Sequence, residues 1–164
     1  MAVFLISVPI ITRNPRICPH QHNGSLNRRH RVLPLGIDYP GCNLHYSFAH
    51  FLLLAVEEKK DWKLVIAGKG KQTKLLQSLI KKYELTSSVE LIPPTNNIQG
   101  LFKESGLYVM SSRFEGLPLV LIEAAAMGLP AVSFACQTGP DEIIEHEKTG
   151  LLVPPMDIDA LAKS

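Results

Sequence analysis

From about residue 49 onward, apolar runs of about five residues alternate with amphipathic stretches of about ten, the pattern of strand and helix units repeated around a parallel sheet. It predicts a helix over residues 46–60 and a strand over 62–67. Gly68-Lys69-Gly70 turns the chain into an amphipathic helix over 72–83, whose Leu75, Leu76, Leu79, Ile80 and Tyr83 share one face. A strand follows at 89–92 and stops at Pro93 and Pro94, because proline has no N–H to give a ladder. Asn97 is placed to cap a short helix through Phe102, and residues 106–110 read as the next strand. The helix over 118–127 carries proline in its first turn and Gly128 at its end. Beyond it the pattern gives a strand at 131–134, a short helix over 139–146, a strand at 151–153 and a helix opened by Asp157 that runs to Ser164. The fold class is α/β, a Rossmann-like parallel sheet with flanking helices.

Residues 1–48 are different. Pro9, Pro15, Pro19, Pro34 and Pro40 interrupt every apolar period of useful length, so no helix of normal length fits between them. Arg13, Arg16, Arg28, Arg29 and Arg31 all precede residue 32, whereas every lysine lies at or beyond Lys59. The two parts read as an irregular or divergent segment, 1–48, and an α/β domain, 49–164. A frame-shifted or upstream read-through segment would give such a break, and so would a divergent but genuine N-terminal segment. On either reading, residues 12–45 are expected to lack a cooperative core.

Composition narrows the class without changing the fold. With 46% hydrophobic and 20% charged residues and a net charge of +2, the chain is globular, not a disordered tail or a collagenous rod. The longest apolar run, 117–127, is interrupted by Pro118 and Glu123 and falls short of the roughly 18 residues of a membrane span. Residues 1–11 lack a basic start and a small-residue cleavage site, which favours a buried strand over a signal peptide. Three cysteines are too few for a disulfide framework and fit a reducing cytoplasm. Cys18, His20, His22, Cys42 and His45 match no closed zinc motif, and Arg28, Arg29 and Arg31 read as a solvated run with no role in binding nucleic acid.

In an open parallel sheet, ligands bind outside the carboxyl ends of the strands, where loops lead into helix N-termini. Four loops fit that place: 68–70, 93–97, 111–116 and 137–140. The third is the most informative. A strand stops at Met110, a polar loop containing Gly116 follows, and the helix from Pro118 offers backbone N–H groups of Leu119 and Val120 to an anion. Glu123 is the one charged residue between Glu115 and Asp141, in a helix otherwise almost wholly apolar. Such a helix is expected to be buried on most sides, where a carboxylate costs on the order of several kcal/mol unless it accepts hydrogen bonds. Sugar or ribose hydroxyls would serve, and so would a backbone amide or a lysine of the protein itself. Glu115 lies in the preceding loop, so the two carboxylates bracket the helix start in an arrangement that suits a nucleotide diphosphate sugar.

The segment 112–133, Ser-Arg-Phe-Glu-Gly-Leu-Pro-Leu-Val-Leu-Ile-Glu-Ala-Ala-Ala-Met-Gly-Leu-Pro-Ala-Val-Ser, resembles the donor-binding signature of family-4 nucleotide-sugar glycosyltransferases. The resemblance extends over 49–164 and takes in 62–70, 105–112, 138–144 and 149–153. It implies the C-terminal, Rossmann-like half of a two-domain GT-B fold and a role in polysaccharide biosynthesis: retaining transfer from a nucleotide diphosphate sugar to a saccharide or lipid-linked acceptor. Carried over, it makes Glu115 the catalytic-site carboxylate near the sugar hydroxyls and Glu123 the ribose ligand. Leu119 and Val120 would give N–H groups to the diphosphate, Gly116 and Arg113 would lie in the same loop, and Gly68 and Gly70, with the loop at 94–98, would border the base. No cofactor or metal is implied, since helix N–H groups and cations stabilise a leaving diphosphate and no Asp-x-Asp pair stands near the site.

The same family places an Arg and a Lys on the diphosphate, just after the first strand of this domain, and this sequence has neither. Residues 5–8 would be that strand, or residues 32–38 would be the interdomain linker with the strand deleted. The acceptor-binding domain is not in the sequence and the last helix ends at Ser164, so the chain reads as a fragment. Cytoplasmic placement is expected, with peripheral contact at the inner face of the membrane through the acceptor domain. Two rivals remain: a catalytically inactive nucleotide-sugar-binding remnant, and a GT-B epimerase acting on the nucleotide sugar, against which the Glu115 and Glu123 spacing argues.

Overall fold

A computed structural model describes residues 30–32, 63–70, 73–112 and 115–164. Six parallel strands, β1 (His30–Val32), β2 (Lys63–Ala67), β3 (Val89–Ile92), β4 (Leu107–Met110), β5 (Ala131–Phe134) and β6 (Gly150–Val153), form one sheet in the order β3-β2-β1-β4-β5-β6. The helices are α1 (Thr73–Lys82), α2 (Ile98–Glu104), α3 (Leu119–Ala126), α4 (Pro140–Ile143) and α5 (Ile158–Lys163). This is the doubly wound, Rossmann-like arrangement expected from the alternating pattern. From β1 the chain steps outward to β2 and β3, then crosses back to β4 on the other side and proceeds to β5 and β6.

Side-chain alternation along each strand divides the core into two layers. Leu64, Ile66, Leu107, Val109, Val132 and Phe134 pack on one face with Leu76 and Ile80 of α1 and Leu161 and Ala162 of α5. Ala67, Tyr108, Met110 and Ala131 pack on the other face with Phe102 of α2 and Leu121 and Ala124 of α3. All four residues of β4 and of β5 are buried, as strands covered on both faces must be. β6 opens on glycine because a Cβ at Gly150 would run into the main-chain oxygen of its ladder partner Ala131.

Boundaries follow local chemistry. The Asn97 side chain accepts from the N–H of Gly100 at 3.0 Å and the Asp157 side chain from that of Ala160 at 2.9 Å, so both residues cap helices as read from the sequence. The helix expected over 139–146 is shorter: α4 ends at Ile143, and His146 bridges to Gly150 instead.

Two expectations need correction. Residues 30–32, within the segment read as irregular, form β1 at the centre of the sheet, with Arg31 opposite Leu64 on one side and Leu107 on the other. A central parallel strand ordinarily reads as an apolar run, and His-Arg-Val is not one. The second concerns α3, which is not enclosed. Only Leu121 and Ala124 are buried, whereas Leu119 is 58% exposed and Ile122 38%. Ala125, Ala126 and Glu123 are exposed as well, so Glu123 bears no burial cost. Apolar residues on both sides of the helix concealed its amphipathic period. The candidate strand at 5–8, the helix over 46–60, Arg113 and the Cys and His residues weighed for zinc at 18–45 lie outside the described residues.

Candidate functional site at the strand-order reversal

The loops after β4 and β5 meet at the carboxyl edge of the sheet, on the side of β1 where the strand order reverses. Pro118 has φ −77° and ψ 81°, an inverse γ-turn in which the Leu119 N–H donates to the Leu117 carbonyl at 2.9 Å. The Pro118 carbonyl in turn accepts from Leu121 at 2.9 Å and Ile122 at 3.2 Å, which starts α3. This corrects the expected pair of open donors. Leu119 is engaged, and the Val120 N–H is the one without an acceptor among the described residues.

The loop after β5 locks against this turn. The Thr138 hydroxyl donates to the main-chain carbonyl of Glu115. Gly139 adopts φ +96°, and a Cβ there would stand 2.5 Å from Pro118 Cδ and 2.8 Å from the Gly116 carbonyl oxygen. Only glycine fits, on grounds of both conformation and space. Cys136, buried beneath the loop, directs its thiol at the Thr138 carbonyl at 3.8 Å. Burial, and next the nearby Glu115 carboxylate, push the thiol pKa up from its ordinary value.

Glu115 is partly buried in this loop and Glu123 lies exposed just past the middle of α3. Both act on Tyr108. The phenol sits edge-on to Phe102, ring centroids 6.0 Å apart, with its hydroxyl buried and unpartnered among the described residues. Its pKa is driven well above the ordinary value, chiefly by burial, then by the Glu115 charge and then by that of Glu123. The charges of both carboxylates, one on the loop and one on the helix, thus act in the same direction on one phenol. Gly116, beside them, is exposed, and nothing lies within 4 Å of where its Cβ would be.

On the other side of β1, Gly68 follows β2 and donates to the Ile92 carbonyl at 2.9 Å, while Gly70 and Thr73 exchange hydrogen bonds that turn the chain into α1. The four loops named from the sequence therefore all lie at one edge of the sheet. Thr138, Tyr108 and Ser112 carried no assignment there. Their signals were faint: a hydroxyl in a glycine loop, a phenol within an apolar strand, and a serine two residues past its end.

Residues 37–164 match the sequence profile of the family described as Glycosyl transferases group 1. The chain belongs to this family. The matched span begins inside the segment read as irregular. The amylovoran biosynthesis glycosyltransferase AmsD of Erwinia amylovora is 40% identical over 142 residues, covering 80% of this chain and 39% of AmsD. An uncharacterized glycosyltransferase of Haemophilus influenzae is 40% identical over 103 residues, covering 63% of this chain and 29% of that protein. A point mutant of S. aureus TarM, solved in complex with fondaparinux, alpha-GlcNAc-glycerol and UDP, superposes with a TM-score of 0.71 at 26% identity, over 80% of this chain and 26% of TarM. This member of the group 1 family therefore spans about two fifths of AmsD and less of the other two. Among its described residues no helix is long and apolar enough to cross a membrane, and no three His, Cys, Asp or Glu side chains are grouped to hold a metal ion.

Proposed function

We propose that this chain binds the donor in a retaining glycosyltransferase that moves a sugar from a nucleotide diphosphate to a saccharide or lipid-linked acceptor. The observation that carries the reading is the loop and helix that follow β4, with Glu115 before α3 and Glu123 on it, beside the point where the strand order reverses. Family membership and the UDP bound to TarM support it. The diphosphate lies at the start of α3, where Val120 donates its N–H and the helix dipole opposes the negative charge that grows as the glycosidic bond breaks. Glu115 accepts hydrogen bonds from the donor sugar, and the exposed Glu123 accepts from the ribose diol. Gly116 leaves room beside them, and Gly68 and Gly70 border the base. Leu119 contributes its N–H only when the γ-turn at Pro118 opens. The acceptor attacks from the face the diphosphate leaves, which gives retention without a protein nucleophile, in the cytoplasm at the membrane's inner face.

The test is calorimetric titration of UDP- and GDP-sugars into the chain. Without the Arg and Lys that the family resemblance places on the diphosphate, roughly 3–6 kcal/mol of donor binding is missing, at about 1.5–3 kcal/mol for each charged hydrogen bond. Binding is expected in the millimolar range by order of magnitude, with no transfer by the chain alone. Micromolar binding unaffected by Glu123→Ala would overturn the ribose assignment.

A further inference from the structure

Three serines are buried among the described residues: Ser105, Ser112 and Ser133. Ser105 donates to the Leu101 carbonyl at 2.6 Å and Ser133 to the Phe134 carbonyl at 2.9 Å. Ser112, 3% exposed, has no partner among the described residues. A hydroxyl withdrawn from water without a replacement bond destabilises the unliganded fold, and native proteins seldom retain one unless something outside the fold satisfies it.

Its position indicates what does. Ser112 lies two residues beyond Met110, the end of β4. Tyr108 and Met110 pack on the α3 side of the sheet, and Ser112 stands in the loop that leads from β4 to α3. The open N–H of Val120 is at that helix start. Tyr108 also holds an orphan hydroxyl, but deeper in the layer, against Phe102 and among the apolar residues around Leu121.

We infer that the Ser112 hydroxyl donates to a phosphate oxygen of the nucleoside diphosphate and, with the Val120 N–H, forms a two-point site for that anion. The inference rests on the donor-binding reading above and adds to it a residue that reads the phosphate by a neutral hydrogen bond. It accounts for a buried hydroxyl that the unliganded fold leaves unsatisfied.

The experiment compares the full chain with Ser112→Ala and Ser112→Cys, using UDP as the probe, followed by NMR titration and by thermal unfolding without ligand. A hydrogen bond to a charged oxygen is worth about ten- to hundredfold in affinity, so both variants should bind UDP at least about tenfold more weakly. The unliganded Tm of Ser112→Ala should stay level or rise, because the deleted hydroxyl held nothing. A serine needed only for the fold would show the reverse, a lowered Tm with unchanged UDP affinity in the molecules still folded, and that result overturns the inference. UDP binding by Ser112→Ala equal to wild type overturns it too, while leaving the donor-binding reading intact. Absence of UDP binding by the wild-type chain removes both.

Discussion

The Thr138 hydroxyl is bonded to the main-chain carbonyl of Glu115, so the loop after β5 holds the residue proposed to carry the donor-facing carboxylate of the loop after β4. Thr138→Val keeps the shape and removes that bond. The expected loss of stability is about 0.5–1.5 kcal/mol by urea unfolding, because the bond is exposed and water replaces part of it. UDP-sugar affinity should fall beyond what the stability change accounts for, and an unchanged affinity would show that Glu115 needs no such tether.

Gly139→Ala should be far more damaging. A left-handed conformation at a non-glycine residue costs about 1–3 kcal/mol before any clash, and here the new methyl would also meet Pro118 and the Gly116 carbonyl. Gly116→Ala adds a methyl into open space and is expected to change stability by no more than about 0.5 kcal/mol. Chemical denaturation of the two variants in parallel checks the contrast, and similar losses would refute the close packing of the loops.

Alkaline pH should loosen the fold through Tyr108. In the unfolded chain the phenol ionises above its ordinary value of 10.0, while burial and the two carboxylates keep it protonated in the folded state. The unfolded chain then binds fewer protons than the folded one, so stability is fully present below pH 10.0 and declines above it by about 1.4 kcal/mol per pH unit. Cys136, raised from 9.0, acts in the same direction and begins sooner. Tyr108→Phe should remove the steeper part of the decline without lowering stability at pH 7, as measured by unfolding curves between pH 8 and pH 11. An unaltered decline would mean that the phenol is not held in its protonated form.

Glu123→Gln isolates binding from folding. The side chain is exposed, so the variant should unfold within about 0.5 kcal/mol of wild type while losing affinity for UDP-sugars. A marked loss of stability would indicate a structural partner for this carboxylate.

The alternation of apolar and amphipathic stretches located β2 to β6 and their helices to within a few residues, because strand and helix periods are local properties. β3 and β5 coincide with their expected spans, each being a short, mostly apolar stretch between clear breaks. β1 stayed hidden because His30 and Arg31 imitate a loop. The exposure of Glu123 was misread because α3 carries Leu119 and Ile122 toward solvent, so composition did not report burial. The edge of the sheet that gathers the candidate site was legible from strand and loop order. What brings the site's parts together was not: the Thr138 bond to Glu115 and the fit of Gly139 against Pro118 join distant stretches of sequence, and no local pattern encodes them.

That fit has an evolutionary consequence. Any side chain at position 139 would need the Pro118 ring displaced, and any bulkier ring or reshaped turn at 118 would need space that only a glycine opposite provides. Neither position can drift alone without passing through a destabilised intermediate. The turn that launches α3 and the glycine after β5 should therefore be inherited together, and a lineage that reshaped one would carry the mark of compensation at the other.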